Sequence, residues 1–362
     1  MKKLYPIFTC AILMTVVLQA NAQSGNNNNN NNSGSGNGFG QLIRSSPADA
    51  TKLFQNFAEP LFKGFGIGLN SGWNNTAKTK KLLHFDLRIS ANVAQVPTSA
   101  QSFDVTKIGL SNHLQVDPTS TTNIAPTFGG SKSNPTPLMD IKDDNGKTIG
   151  TFNMPNGVVQ YIPAPDIQLT VGLVHNTDLT IRTIPTINIG GNTGSIGMIG
   201  FGVKHDLIQD FAGKGVPKPF DLAIAINYNR INYTKTLNVQ PDAGTTSASE
   251  TQPDFSNQRI SGYFSGTNVQ AIISKKLLFF TPFLSVSYQS ANTSVGVLGN
   301  YPVTTSSGLY TTITDPVRIN ENSLSGFRTD FGFQLNLLVL RIFASYSPGQ
   351  YQSGNVGIGL GF

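Results

Sequence analysis

Residues 323–362, SLSGFRTDFGFQLNLLVLRIFASYSPGQYQSGNVGIGLGF, alternate in polarity with a period of two over three consecutive runs. In the first, Phe327, Thr329, Phe331, Phe333, Leu335 and Leu337 share one face, and Arg328, Asp330, Gly332, Gln334 and Asn336 share the other. In the second, Leu340, Ile342, Ala344 and Tyr346 oppose Val339, Arg341, Ser345 and Ser347. The third sets Val356, Ile358, Leu360 and Phe362 against Asn355, Gly357, Gly359 and Gly361. A period of two is the signature of strands, because successive side chains point to opposite faces. Strands with one oily face that run to a terminal Phe, behind an export signal, predict an all-β fold: a transmembrane antiparallel β-barrel.

Composition agrees. Charged residues are 12% of the 362, against about 25% in ordinary soluble domains, yet mean hydropathy is only −0.10. Low charge without high hydropathy suits alternating strands whose two faces cancel. Helical spans need about 20 consecutive apolar residues, and no such run exists beyond the amino terminus. That terminus has Lys2 and Lys3, an apolar stretch from Leu4 to Leu18 and the small-residue pattern Ala20-Asn21-Ala22. Residues 1–22 therefore read as a signal peptide. Its removal takes away Cys10, the only cysteine, and lowers the formal charge from +6 to +4. The remaining basic residues are scattered, which gives no support to nucleic-acid binding.

Residues 23–44 read as a flexible Asn/Gly/Ser-rich linker on the periplasmic side. Ser46-Pro47-Ala48-Asp49 is a helix start, with a capping residue, a proline at the first position and an acid in the first turn. Ala50, Leu53, Phe54, Phe57 and Leu61 then recur at helical spacing, so residues 45–63 hold a short amphipathic helix, placed at about 47–59 because Pro60 should stop it. It is expected either to dock at the periplasmic rim, the favoured reading, or to plug the barrel mouth.

Residues 64–362 are expected to form the barrel, of about twelve strands (roughly 10–14). A first strand is read in Phe65, Ile67, Leu69 and Trp73, a second in 85–93 and a weaker one around 102–110. Alternation resumes at Ile167, Leu169 and Val171, and Leu222, Ile224, Ile226 and Tyr228 repeat it. Turns at 97–101, 175–178, 275–277 and 337–338, with a longer connection at 205–220, are assigned to the periplasm. Long loops at 111–164, 238–258 and 291–323 are assigned to the outside, the asymmetry of outer-membrane barrels. Tyr228, Tyr263, Tyr288, Tyr346 and Trp73 sit near strand ends, where amphipathic rings suit a membrane interface.

The segments 68–87, 164–190, 200–211 and 219–224 resemble an uncharacterised family of outer-membrane β-barrel proteins found in Bacteroidota. Most specific is the strand-turn-strand with Asn176-Thr177-Asp178-Leu179, Arg182 and Pro185. The resemblance implies a secreted, one-domain barrel in the outer membrane of a Gram-negative bacterium. It carries no activity and no functional residues.

Catalytic and metal-binding patterns are weak. None of His84, His113, His175 and His205 has a serine two positions on, as a barrel hydrolase would need. His84 and Asp86 read as a solvated pair. Asp140, Asp143, Asp144 and Gly146 fail the calcium-loop register, since Gly146 at the sixth position puts Ile141 first and Phe152 twelfth. No cofactor or metal is expected, nor enzyme activity. The candidate functional residues are the charges on inward faces: Asp86, Arg88, Arg182, Arg328, Asp330 and Arg341. They either select solutes by charge or form a salt-bridged network that fills the lumen. The expected partners are outer-membrane lipid and a small-molecule solute. The expected function is a channel or transporter-like pore for small molecules, hydrophobic ones included. The alternative is a plugged interaction barrel whose long loops bind partners or surface polymers.

Overall fold

The computed structural model describes residues 47–361 apart from 144, 189–193, 212–217, 242–243, 250–252 and 305–307. The leader, the Asn-rich linker and Phe362 thus lie outside the described residues. The ten barrel strands are β1 (Phe85–Gln95), β2 (Tyr161–Gly172), β3 (Thr177–Asn188), β4 (Ser195–Asp206), β5 (Asp221–Thr236), β6 (Arg259–Ser274), β7 (Phe280–Leu298), β8 (Val317–Leu337), β9 (Leu340–Ser347) and β10 (Ser353–Gly361). Each pairs antiparallel with its neighbours in the chain, and β10 pairs β1 to close the cylinder. Closure leaves no sheet edge at the level of that seam, the condition for a β-structure in lipid.

The number is ten rather than about twelve, because two expected strands are not barrel strands. Phe65, Ile67, Leu69 and Trp73 belong to a helix and the chain following it. Residues 102–110 shrink to Ser102–Asp104, part of a long insertion at 96–160. The turn read at 97–101 opens that insertion and so lies at the opposite end from the other short turns. Conversely, much of 291–323 is strand, because β7 continues to Leu298 and β8 begins at Val317.

The outer wall explains these extensions. On β5, Ile224, Ile226 and Tyr228 point outward and are exposed, whereas further along Ile231 and Tyr233 point inward and are buried. On β7, Leu284, Val286 and Tyr288 face out, followed outward by Ser290, Asn292 and Ser294, while Val295 and Val297 face in. β6 repeats the inversion, with Val269 and Ile273 outside and Ile260 and Phe264 inside. The alternation therefore persists along each strand, but its apolar phase reverses. The outward apolar band covers about nine residues per strand, or about 23 Å for strands tilted near 40°. Beyond it the barrel has a polar exterior and an apolar core, like a protein in water.

The turns after Gly172, Ser274 and Leu337, and the connection between Asp206 and Asp221, lie at one end; the long insertions and the short turn from Ser347 to Ser353 lie at the other. The 96–160 insertion carries a small sheet of Leu114–Val116, Leu138–Lys142 and Thr148–Asn153. Asn145-Gly146 makes its hairpin turn, with Gly146 at φ +78°.

Helix α1 (Pro47–Asn70) lies inside the barrel, where it touches β1, β2, β5, β6, β7 and β8. Its amino end is at the long-loop end, since Asp49 accepts from Ser111 N (3.0 Å) and the Phe57 and Phe128 rings meet edge-on at 6.2 Å. The helix runs on through Pro60 instead of ending near 59, and it is a lumen element, not a rim element. Proline in a helix costs about 3 kcal/mol, but Leu61, Phe62, Phe65 and Leu69 are all buried beyond it, each worth about 1.5–3 kcal/mol. Close by, the carbonyl of Phe57 accepts from Phe128 N (2.8 Å).

Candidate functional site

The lumen has two zones. Towards the long-loop end, Phe57, Leu61, Phe62 and Phe65 pack among Ile162, Met198, Ile231, Phe264 and Val295 in one hydrophobic core. Three glycines let the helix approach the wall. A Cβ on Gly64, Gly66 or Gly68 would stand 2.5 Å from Ile162, 2.7 Å from Ala291 or 2.4 Å from Ala164, all inside van der Waals contact.

Towards the short-turn end, the chain leaves the helix and descends through a polar collar. Inward side chains bond its main chain step by step. Arg182 Nη1 donates to Leu69 O (3.3 Å) and Ser71 O (3.1 Å), Asn229 to Leu69 O (3.1 Å) and Asn268 to Asn70 O (3.0 Å). Gln168 donates to Trp73 O (3.1 Å), and Lys204 Nζ to Thr76 O (3.1 Å) and Lys78 O (3.0 Å). Ser274 Oγ accepts from Ala77 N, and Asp178 Oδ1 from Lys80 N. A descending chain with no sheet partner would otherwise leave these groups unpaired. Trp73, expected at a membrane interface, is instead buried in this collar under the Arg182 guanidinium, 3.9 Å from its ring centroid. Gly200 and Gly202 on β4 make room for its ring.

The six inward charges all face the lumen, in three groups. Asp86 meets Arg88 Nε (3.0 Å), Lys80 Nζ (3.1 Å) and Arg341. Arg328 Nε meets Asp330 (2.6 Å), and Ser347 bonds the same carboxylate. Arg182 Nε is 3.4 Å from Asp166. Four partners escaped the sequence reading: Lys80, Asp166, Asp178 and Lys204, the last two paired at 3.1 Å. Asp166, Asp178 and Lys204 could have been found, because each shares the inward phase of its own strand. Lys80 carries no such signal.

The mouth at the short-turn end is a basic vestibule of about 290 Å³ lined by Lys78, Lys80, Lys81, His84, Lys276 and Arg341. His84 is exposed here, while Asp86 points inward to its cations. His205 contacts Asp210 (2.7 Å) and Thr177 (3.0 Å) on the rim.

Among solved structures, the chain is similar to the outer-membrane protease OmpT of Escherichia coli, at 8% identity over 81% of this chain and 100% of that one, with a TM-score of 0.31. An engineered variant of the Rh. blastica porin matches at 7% identity over 77% of this chain and 99% of that one, with a TM-score of 0.18. A Pseudomonas aeruginosa FadL homologue matches at 12% identity over 80% of this chain and 91% of that one, with a TM-score of 0.20. No curated protein matches the sequence. A family model does match it, over residues 1–362, and the chain belongs to that family, a family of unknown function, DUF6588.

Proposed function

We propose that this protein is a non-enzymatic outer-membrane barrel that binds or admits a small molecule under the control of its own plug, not an open diffusion pore. Its apolar girdle would sit in the acyl region, with the long loops outside the cell and the short turns in the periplasm. The observation that carries the reading is the filled lumen: α1 and residues 71–80 occupy the axis, bonded to the wall from Arg182, Asn229, Asn268 and Lys204. A porin keeps an aqueous channel at this position. The charges that could have filtered solutes are spent on one another and on the plug.

Planar-bilayer recording of the mature protein tests this. The full chain should be silent. Lys204→Met combined with Asn229→Ala, which removes plug contacts without leaving the wall open, should give intermittent openings. Steady conductance from the unaltered chain would sink the proposal. The plugged interaction barrel remains a second reading, favoured by the folded 96–160 insertion seated on the helix.

A further inference from the structure

The ion pairs of the lumen do not cancel everywhere. At Asp86 three cations meet one carboxylate: Arg88 Nε stands 3.0 Å from Oδ1, Lys80 Nζ stands 3.1 Å from Oδ2, and Arg341 Nη1 reaches the same Oδ2. Asp166, Asp178 and Asp330, elsewhere in the lumen, have their own cations in Arg182, Lys204 and Arg328. The Asp86 cluster therefore keeps a surplus of positive charge, two cations beyond the one its carboxylate balances, with the Lys80 side chain only 8% exposed. Like charges held side by side away from water repel strongly and favour a counter-charge.

Two of these cations, Lys80 and Arg341, also line the vestibule of about 290 Å³ at the short-turn end. No carboxylate lines it. Lys81 and Lys276, on the same lining, have no acid within ion-pair distance among the described residues. Lys78 interacts with Asp221 only beyond that distance. A cleft lined by one sign of charge focuses its field on whatever enters it. The charge of this one specifies an anion.

The donors narrow the anion further. They come from several elements: Lys80 from the chain following α1, Lys276 from the turn between β6 and β7, Thr281 from β7, Asn336 from β8 and Arg341 from β9. Lysine and arginine only donate, and Lys80 carries three N–H groups, one of which goes to Asp86. A planar carboxylate offers two oxygens and a single charge. A phosphate monoester offers three terminal oxygens and nearly two charges, which matches both the surplus and the spread of the donors. The volume is at the low end for small-molecule sites, with room for a few carbons beyond the phosphate.

From these observations we infer that the vestibule is a binding site for a phosphate monoester, held between Lys80 of the plug segment and Arg341 and Lys276 of the wall. The phosphate is the recognised group, whether it arrives on a small soluble ester or on a lipid headgroup at the rim. Bound there, it ties plug to wall at the mouth. The site goes beyond the proposed function, since it stands whether or not the plug ever opens.

The test uses the mature protein in a non-ionic detergent, titrated calorimetrically with glycerol 3-phosphate at about pH 8, above the second phosphate pKa, and at fixed ionic strength. Acetate and methanesulfonate, a planar and a tetrahedral monoanion, serve as comparisons. Saturable one-to-one binding of the phosphate ester is expected, with each monoanion at least about tenfold weaker. Arg341→Gln, which leaves Asp86 with two cations, should weaken the ester about tenfold or more, the loss of a charged hydrogen bond. Lys276→Gln, in an exposed turn, should weaken it about threefold. Lys275→Gln removes the same charge from the neighbouring position, outside the lining, and should bind like the parent. Circular dichroism and heat-modifiable gel migration verify that each variant folds. Nanodiscs of phosphatidylcholine with and without phosphatidic acid separate the sources: equal ester binding in both assigns the site to a soluble ester, and loss of it with phosphatidic acid assigns the site to a lipid headgroup. Monoanions that bind as tightly as the ester, equal losses in Lys275→Gln and Lys276→Gln, or no saturable binding would each overturn the inference.

Discussion

Replacing Arg182 with alanine should loosen the plug from the wall more than any other single truncation. The side chain is 1% exposed and bonds Leu69 O, Ser71 O and Gln168, stacks on Trp73 and pairs with Asp166. Asp166 is 4% exposed, and among the described residues Ser90 and Asn92 are its other donors. Removing one partner of a buried ion pair costs about 3–5 kcal/mol, mainly because the other charge is stranded. The stacking and main-chain contacts cannot simply be added to that, since they share the same guanidinium. Arg182→Ala should therefore lower unfolding stability in lipid by about 3–5 kcal/mol, read from the urea midpoint of the heat-modifiable band, and bring channel flicker in a bilayer recording. The double variant Asp166→Asn/Arg182→Met removes both charges and keeps the bulk under Trp73. It should regain most of the loss and restore silence. If Arg182→Ala costs under about 1 kcal/mol, the level of an exposed pair, or if the double variant is no better, the ion pair does not hold the plug.

The phase reversal on β7 predicts unequal costs for one substitution at two outward positions. Leu284→Arg, inside the girdle, should destabilise the refolded barrel by about 2–4 kcal/mol, and Asn292→Arg, beyond it, by about 0–1 kcal/mol, both measured by urea titration in liposomes. Gly64→Val places a side chain where even a Cβ would be 2.5 Å from Ile162. Overpacking should cost about 1–3 kcal/mol, partly regained in Gly64→Val/Ile162→Ala by the same titration. In the 96–160 insertion, burial and then the nearby Asp117 carboxyl push the Asp140 carboxyl above its ordinary value. The folded insertion holds this proton more tightly than the unfolded chain, so the contribution to stability is present below about pH 4 and is lost as pH rises through the raised value. Asp140→Asn should flatten that dependence in limited proteolysis of the insertion across pH 4–7.

The strands, their faces and the six inward charges could be read from the sequence because lipid outside and polar groups inside enforce a period of two. The failures have physical causes in particular residues. Gly64-Phe65-Gly66-Ile67-Gly68-Leu69 alternates as a strand would, yet it is the buried end of a helix. Its glycines face the wall and its large residues fill the remaining space, so burial on all sides erases the helical stripe. Pro60 hid the same helix, because packing inside a barrel outweighs one missing hydrogen bond. Residues 291–298 looked like loop because Asn292 and Ser294 point outward there, where the girdle has ended. Pairing partners such as Lys80 lie on a segment that acquires its position only through the surrounding strands.

The seam between β1 and β10 joins the two ends of a sheet whose interior already holds residues that precede β1. Helix α1 therefore works like a mandrel: strands wound around it can seal last, whereas a finished cylinder would have to be threaded by everything upstream of Pro47. Winding needs no narrow passage. In refolding from denaturant into detergent, where both ends of the barrel meet the same solution, a compact module fused ahead of Pro47 should then be tolerated, and it would finish on the same side as the 96–160 insertion.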